Sequence, residues 1–245
     1  MKKISIKGEK NTFLLIFEAI STVIDEGTIY FEKEKLYTRG MNDSHTIFLK
    51  LEVNPKIFKE YNNESPNELQ ISLNFKSIKS ILDKCENEVI MIFGDEIVVS
   101  SQNKFYIEAH IPQMSSESEL IKMPEYKYSS ELYIKSEDLK KIKEILDFSE
   151  FIELNVSDKL TVKVIGAAGE IIKIGITPES NSKMDRKDDS IRINGDFLRN
   201  ILNIFDSSYL LKLNLDKSKN TIEIIYEKEL IYIKFMISVE NNEET

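Results

Sequence analysis

Met41-Asn42-Asp43-Ser44-His45-Thr46-Ile47-Phe48-Leu49 is the stretch whose reading decides the fold. The polar run from Asn42 to Thr46 breaks one extended segment, and Ile47-Phe48-Leu49 opens the next, so the stretch reads as strand, turn, strand. It contains a serine and a histidine, yet no nucleophile motif surrounds them.

Working outward, the stretch belongs to an internal repeat. Leu36 to Ile47 matches Leu160 to Ile171 at a constant offset of 124 residues. Phe13, Phe17, Ile20 and Ile24 recur at helical spacing in the first half, and Leu139, Ile142, Ile145 and Leu146 do so in the second, over 136–148. Ser80-Ile81-Leu82 matches Asn200-Ile201-Leu202 inside a later helix of each half, 120 residues apart. Each half therefore reads as strand, helix, three strands, then strand, helix, three strands.

The strand readings rest on alternation and β-branched content. Glu88 to Phe93 runs into the turn dipeptide Gly94-Asp95, Ile97-Val98-Val99 follows, and Lys104 to Ile111 closes the meander. Leu210 to Leu213, Thr221 to Ile225 and Leu230 to Phe235 repeat it. Gln113 to Pro124 is Ser- and Glu-rich and ends in proline, as a connector does. The fold class is α+β: an N-terminal domain over 1–112, a connector over 113–127 and a second domain over 128–245, each with two β-α-β-β-β units. The segment from Thr177 to Asp189 and the acidic tail from Glu240 read as irregular.

Bulk properties set bounds. A chain of 245 residues, 41% hydrophobic and 31% charged, can fill two cores and stay soluble. No window approaches the roughly 18 apolar residues of a membrane span. Met1 to Lys7 alternates and reads as a strand, because a signal peptide would need a longer apolar run. The one cysteine, Cys85, excludes an intramolecular disulfide and fits a reducing, intracellular compartment. A net charge of −9 argues against coating with nucleic acid, though basic residues could gather on one internal face.

The sequence offers no catalytic centre and implies no cofactor or metal. His45 and His110, the two histidines, both lie in strand-like sequence. His45 could serve as a general base, but no Ser or Cys motif accompanies it, so a partly buried histidine ordering a turn is preferred. His110 alternates between Ala109 and Ile111 and reads as a strand residue. Gly166-Ala167-Ala168-Gly169 opens no helix and reads as a tight turn, not a phosphate cradle. Asp185, Asp188 and Asp189 lack the alternation of a calcium loop and read as solvated surface.

The opening stretch closely resembles the M-D-x-S-H-x-x-L segment of sliding clamps of the proliferating cell nuclear antigen type. Ser80-Ile81-Leu82-Asp83-Lys84-Cys85 resembles the clamp's second helix, and Ile121-Lys122-Met123-Pro124-Glu125 the end of its interdomain connector. Ile201-Leu202-Asn203-Ile204-Phe205 falls where the fourth helix should. These landmarks cover nearly the whole chain. The resemblance implies a trimeric ring of two-domain subunits that encircles duplex DNA and tethers a DNA polymerase, with a clamp loader and other enzymes as further partners. It implies no enzyme activity, cofactor or membrane. The location implied is intracellular, an archaeal cytoplasm or a eukaryotic or host nucleus. The ring could be a homotrimer or a heterotrimer, and a specialised or checkpoint-type subunit of a heterotrimer is the alternative.

Three sets of residues follow from the resemblance. Lys76, Lys79, Lys84, Lys140, Lys141, Lys143 and Arg199 sit off the apolar stripes of their helices and would face DNA, meeting phosphates without reading bases. The bland reading is that any surface helix carries lysines. Helix one departs from the pattern, with Leu14 and Leu15 where basic residues are usual. His45, Thr46, Phe48, Ile121, Met123, Pro124, Met236 and Ile237 would form a pocket for partner peptides, or else be ordinary core. Met236-Ile237 replaces the usual Ala-Pro pair, and Lys234 the preceding aromatic. Phe105, Tyr106 and Ile107 on one subunit would pair with Ile172, Ile174 and Ile176 on the next.

Overall fold

The computed structural model describes residues 3–63, 65, 67–102, 104–115, 121–184, 189–205, 209–216 and 221–238. The chain forms two compact units. Unit 1 comprises Met1–Asn42, Leu49–Lys122 and Glu227–Ile233; unit 2 comprises Asp43–Phe48, Met123–Tyr226 and Lys234–Thr245.

In unit 1 the chain runs β1 (Ile4–Glu9), α1 (Lys10–Ser21), β2 (Glu26–Phe31), β3 (Leu36–Met41) and the larger part of β4 (Ile47–Val53). A short 3-10 turn (Pro55–Ile57), β5 (Glu60–Asn63), β6 (Leu69–Asn74), α2 (Phe75–Lys84), β7 (Glu88–Phe93), β8 (Glu96–Gln102) and β9 (Tyr106–Pro112) complete it. One sheet is ordered β5-β1-β7-β8-β9, while β6, β2, β3 and β4 lie side by side in the other. The periodicity of α1 buries Phe13, Ile16, Phe17 and Ile20; that of α2 buries Phe75, Ile78 and Leu82. The α1 side chains surround one part of the core with Ile6, Phe31, Met91 and Phe93, the Phe31 and Phe93 rings 4.8 Å apart. Ile81 is half-buried at the edge of that stripe. Gly40 admits the helix-end residue Ile24 so closely that a Cβ there would sit 2.3 Å from its Cδ1.

Unit 2 repeats the plan with β10 (Ser130–Lys135), α3 (Ser136–Leu146), β11 (Phe151–Val156), β12 (Leu160–Ile165) and β13 (Ile171–Ile176). Then follow β14 (Asp189–Asn194), α4 (Gly195–Ile204), β15 (Leu210–Asp216), β16 (Thr221–Lys228) and β17 (Ile231–Ser238). One sheet is ordered β13-β12-β11-β14; β10, β15, β16 and β17 adjoin in that order in the other. Helices α3 and α4 bury Leu139, Ile142, Leu198, Ile201 and Leu202.

The repeat extends to the helix caps. Asn74 Oδ1 accepts from the Ser77 amide at 2.8 Å, and Asn194 Oδ1 accepts from the Asp196 amide at 2.8 Å. Each satisfies an otherwise orphaned donor at a helix start. Gly166 and Gly169 close a tight turn between β12 and β13, with Gly169 at φ +86°. The α+β architecture and the order of elements agree with the sequence, with two departures. The polar strand β5 was not expected; Glu60-Tyr61-Asn62-Asn63 has no alternation and is extended because it pairs with β1. Helix α3 stops at Leu146 and not at 148, and Phe148 beyond its end is exposed. Asp185 and Asp188 and the tail from Glu240 lie outside the described residues.

Candidate functional site

Among the described residues, the five- and four-stranded sheets each end in a strand with one bare edge: β9 in unit 1 and β13 in unit 2. Unpaired edges invite another strand. Alternation gives each edge two distinct rows. On β9, Ile107, Ala109 and Ile111 point to the better-buried face, and Tyr106, Glu108 and His110 to the exposed one. On β13, Ile172, Ile174 and Ile176 share the inner face, and Ile171, Lys173 and Gly175 the outer. Of the expected interface residues, Phe105 and Tyr106 are 65% and 63% exposed. Ile107, Ile172 and Ile174 are half-buried and Ile176 is buried. Ile171, which was not among the expected residues, is 58% exposed and opens an alternating strand as Tyr106 does.

His110 is held between two carboxylates: Glu96 at 2.9 Å from Nδ1 and Glu108 at 3.1 Å from Nε2. Glu108 also accepts from the Tyr106 hydroxyl. The hydrogen bond with Glu108, then that with Glu96, raises the His110 pKa above its ordinary value. The β9 row is therefore acidic. Near β13 lysines stand on the outer side, with exposed Lys173 and with Lys159 lying over Gly175.

The helices carry the second surface. α1 packs beside α2 in unit 1, and α3 beside α4 in unit 2. The expected cations do lie off the buried stripes, but most are answered locally. Lys76 pairs with Asp25 at 2.6 Å, Lys79 with Asp83 at 3.4 Å and with Glu18 at 3.9 Å. Lys141 pairs with Asp138 at 3.5 Å, and Arg199 with Asp147 at 2.9 Å and Asp196 at 2.5 Å. Lys143 donates to Asn203. Burial raises the pKa of Glu18, against the lowering effect of Lys79. Lys84 is exposed, and Lys140 is half-exposed on α3. The sequence showed the lysines; it could not show acids arriving from distant segments.

Unit 2 holds most of the expected peptide pocket. His45 is exposed with φ +56°, not the partly buried residue expected. Asn42 to Thr46 is a tight surface turn in which Ser44 and Thr46 hydroxyls lie 2.8 Å apart. The Ser238 amide donates to the Thr46 carbonyl at 2.9 Å, so continuing that pairing two residues inward brings Met236 beside Phe48. Both are buried. Ile237 points the other way, on the face of Ile233 and Phe235, whose ring meets Phe205 at 6.2 Å. It belongs to the core, since adjacent strand residues face opposite sides. Met123 is half-buried and Pro124 exposed; Ile121, in unit 1, is half-buried.

Two residues before Met236, on the same face, Lys234 forms an ion pair with Glu223. Glu223 is only 2% exposed, and its second oxygen accepts from Asn214 Nδ2 at 3.0 Å. Burial, then Glu223, pushes the Tyr128 hydroxyl pKa well above its ordinary value. Ser129, next to Tyr128, is tied to the Leu215 carbonyl by its amide at 3.2 Å. Among the described residues no group of three or more His, Cys, Asp or Glu is placed to hold a metal ion, and no helix is long and apolar enough to cross a membrane.

No family model matches the chain. It is 25% identical over 179 residues to DNA polymerase sliding clamp 1 of Thermococcus kodakarensis, covering 71% of each chain. It is 26% identical over 189 residues to the DNA polymerase sliding clamp of Thermococcus gammatolerans, covering 75% of this chain and 74% of that one. Among solved structures, a proliferating cell nuclear antigen (PCNA) from Thermococcus kodakaraensis superposes with a TM-score of 0.86 at 14% identity, over 96% of this chain and 99% of that one. The PCNA of A. fulgidus, solved with the C-terminal region of FEN-1 bound, gives 0.83 at 15% identity, over 96% and 97%. The relatives and the superposed structures define one class, the DNA sliding clamps. The fold of this chain is that of the PCNA-type clamps.

Proposed function

We propose that this clamp closes head to tail into a trimeric ring, β9 of each copy pairing with β13 of the next, and encircles duplex DNA. The observation that carries this reading is the pair of bare edges with matched rows. The apolar row Ile107, Ala109 and Ile111 fits the apolar row Ile172, Ile174 and Ile176, and the acidic outer row of β9 fits the lysines beside β13. A head-to-tail contact that closes makes a ring. The domain division is proposed as 1–112 and 128–245, joined by the connector.

Inside the ring the helix cations attract phosphates without reading sequence. Because most are already paired with acids, the grip is weak and retention is topological. The clamp tethers the replicative polymerase, the clamp loader and other replication and repair enzymes through peptides seated beside Phe48 and Met236. It acts inside the cell, as a scaffold and not an enzyme. The test combines light scattering during size exclusion with polymerase extension on primed circular DNA. A trimer that prolongs extension is expected; a monomer at tens of micromolar, or a trimer with no effect on extension, would overturn the reading.

A further inference from the structure

Two bare strand edges can meet in several registers, and each slip exchanges every cross-strand neighbour. The strands next to the seam are antiparallel, and a seam that continues both sheets is antiparallel too. A slip by one residue turns the apolar row of β9 against the outer row of β13, so only slips by two keep like faces together. The inner rows, Ile107, Ala109 and Ile111 against Ile172, Ile174 and Ile176, accept any such slip, since every member is aliphatic. They supply adhesion without choosing a register. The outer rows do choose, because each carries one strong charge at its centre, Glu108 on β9 and Lys173 on β13, both exposed.

Resting on the ring reading above, we infer that β9 meets β13 of a second copy of this same chain in one register, with Glu108 opposite Lys173. Opposite charges directly across two strands attract, and like charges there repel. Antiparallel counting then sets Tyr106 opposite Gly175, Ile107 opposite Ile174, Ala109 opposite Ile172 and His110 opposite Ile171. Tyr106, 63% exposed in the single chain, lies over backbone that has no side chain of its own, as aromatic rings do beside edge glycines. The stem of Lys159 flanks the same spot, 2.9 Å from where a Gly175 Cβ would stand. Slipping by two residues one way sets Glu108 against Ile171 and Tyr106 against Lys173. The other way sets Glu108 against Gly175 and brings to Lys173 the histidine already held between Glu96 and Glu108. Both slips lose the opposite-charge pair. Acid and lysine lie on one chain, so copies of this chain alone close the ring, and a subunit of different sequence joins only if its own edge offers a cation at that place.

The experiment places cysteine pairs in the full chain and reads covalent species after mild oxidation, on a denaturing gel without reductant. Residues directly opposite have Cα atoms about 5 Å apart, within disulfide reach, whereas those two positions out of register lie at about 7 Å or more. Glu108→Cys with Lys173→Cys, and Ala109→Cys with Ile172→Cys, are expected to link chains into covalent dimers and trimers. Glu108→Cys with Ile171→Cys, and His110→Cys with Lys173→Cys, report the slipped registers and are expected to stay single chains. Buried Cys85 is the common background of all these variants. In the chain without added cysteines, Glu108→Lys or Lys173→Glu alone should weaken each seam about tenfold, read by light scattering on dilution, and the exchanged pair Glu108→Lys, Lys173→Glu should regain most of it. A trimer that cross-links through a slipped pair or through no pair, or an exchanged pair no tighter than the single reversals, overturns the register and leaves the ring standing. An unaltered chain that stays monomeric at tens of micromolar overturns the ring reading and this inference with it.

Discussion

Tyr106 offers the sharpest test of ring closure. It opens the bare strand β9 and is 63% exposed in the single chain. A tyrosine presents roughly 200 Å² when free, so about 130 Å² of it is open to an incoming β13. At about 25 cal/mol per Å², covering that area stabilises each seam by about 3 kcal/mol. Tyr106→Ser should therefore weaken each seam by about a hundredfold, since 1.4 kcal/mol is a factor of ten. The hydroxyl bonds only to Glu108 on the same exposed row, so the fold should lose no more than the roughly 0.5 kcal/mol of an ordinary surface substitution. Light scattering across a dilution series reads the first quantity and denaturant unfolding of the monomer the second. An unchanged dilution profile would place the seam elsewhere. A large loss of monomer stability would show that Tyr106 is structural.

Changing Lys140, Lys141 and Lys143 to Ala together should leave thermal stability unchanged and weaken clamp-dependent extension. Because Lys141 pairs with Asp138 and Lys143 donates to Asn203, the log-affinity versus log-salt slope should fall by less than the three phosphate contacts the bare charges suggest. A fall of three would mean that the ion pairs open on DNA. Lys234→Met alone should cost about 3 kcal/mol by stranding buried Glu223, and the double change Lys234→Met, Glu223→Leu should restore most of it, read by urea unfolding. His110 titrates above its ordinary value, so the stability it contributes through Glu108 and Glu96 is present below that ordinary value, near 6.5, and is lost as pH rises through the raised one. Imidazole NMR shifts should place its midpoint above 6.5, and His110→Gln should flatten the pH dependence of stability; a midpoint at or below 6.5 would contradict the Glu96–His110–Glu108 geometry.

The helices were legible because Phe13, Phe17 and Ile20, or Leu139 and Ile142, announce a face by spacing alone. The strands of both meanders were legible from alternation, and the caps Asn74 and Asn194 repeat the periodicity. Strand β5 was not, because only its partner β1 makes Glu60 to Asn63 extended. The lysines of α2 and Arg199 of α4 were visible in the sequence, but not Asp25, Glu18 or Asp147, which fold in from other segments. Of the residues expected in the pocket, Phe48 and Met236 come together, both buried. Ile237 is turned to the core by its strand parity, and His45 is held out in solvent by its left-handed backbone. The Glu223–Lys234 pair stayed hidden because nothing in sequence marks a buried carboxylate until its cross-strand neighbours are known.

Strands β4 and β17 are each divided between the two units, and the units exchange short pieces of chain. Asp43–Phe48 serves unit 2 although it is made early, and Glu227–Ile233 serves unit 1 although it is made late. The amide of Asn54 finds its acceptor, the Leu230 carbonyl at 2.8 Å, only once the chain has been extended past that point. An N-terminal half released by proteolysis or by a premature stop would lack a strand of its own sheet and expose the edge of β4. Neither half can be cut out as a finished piece, and a nascent chain must hold its first half open until Glu227–Ile233 has been synthesised.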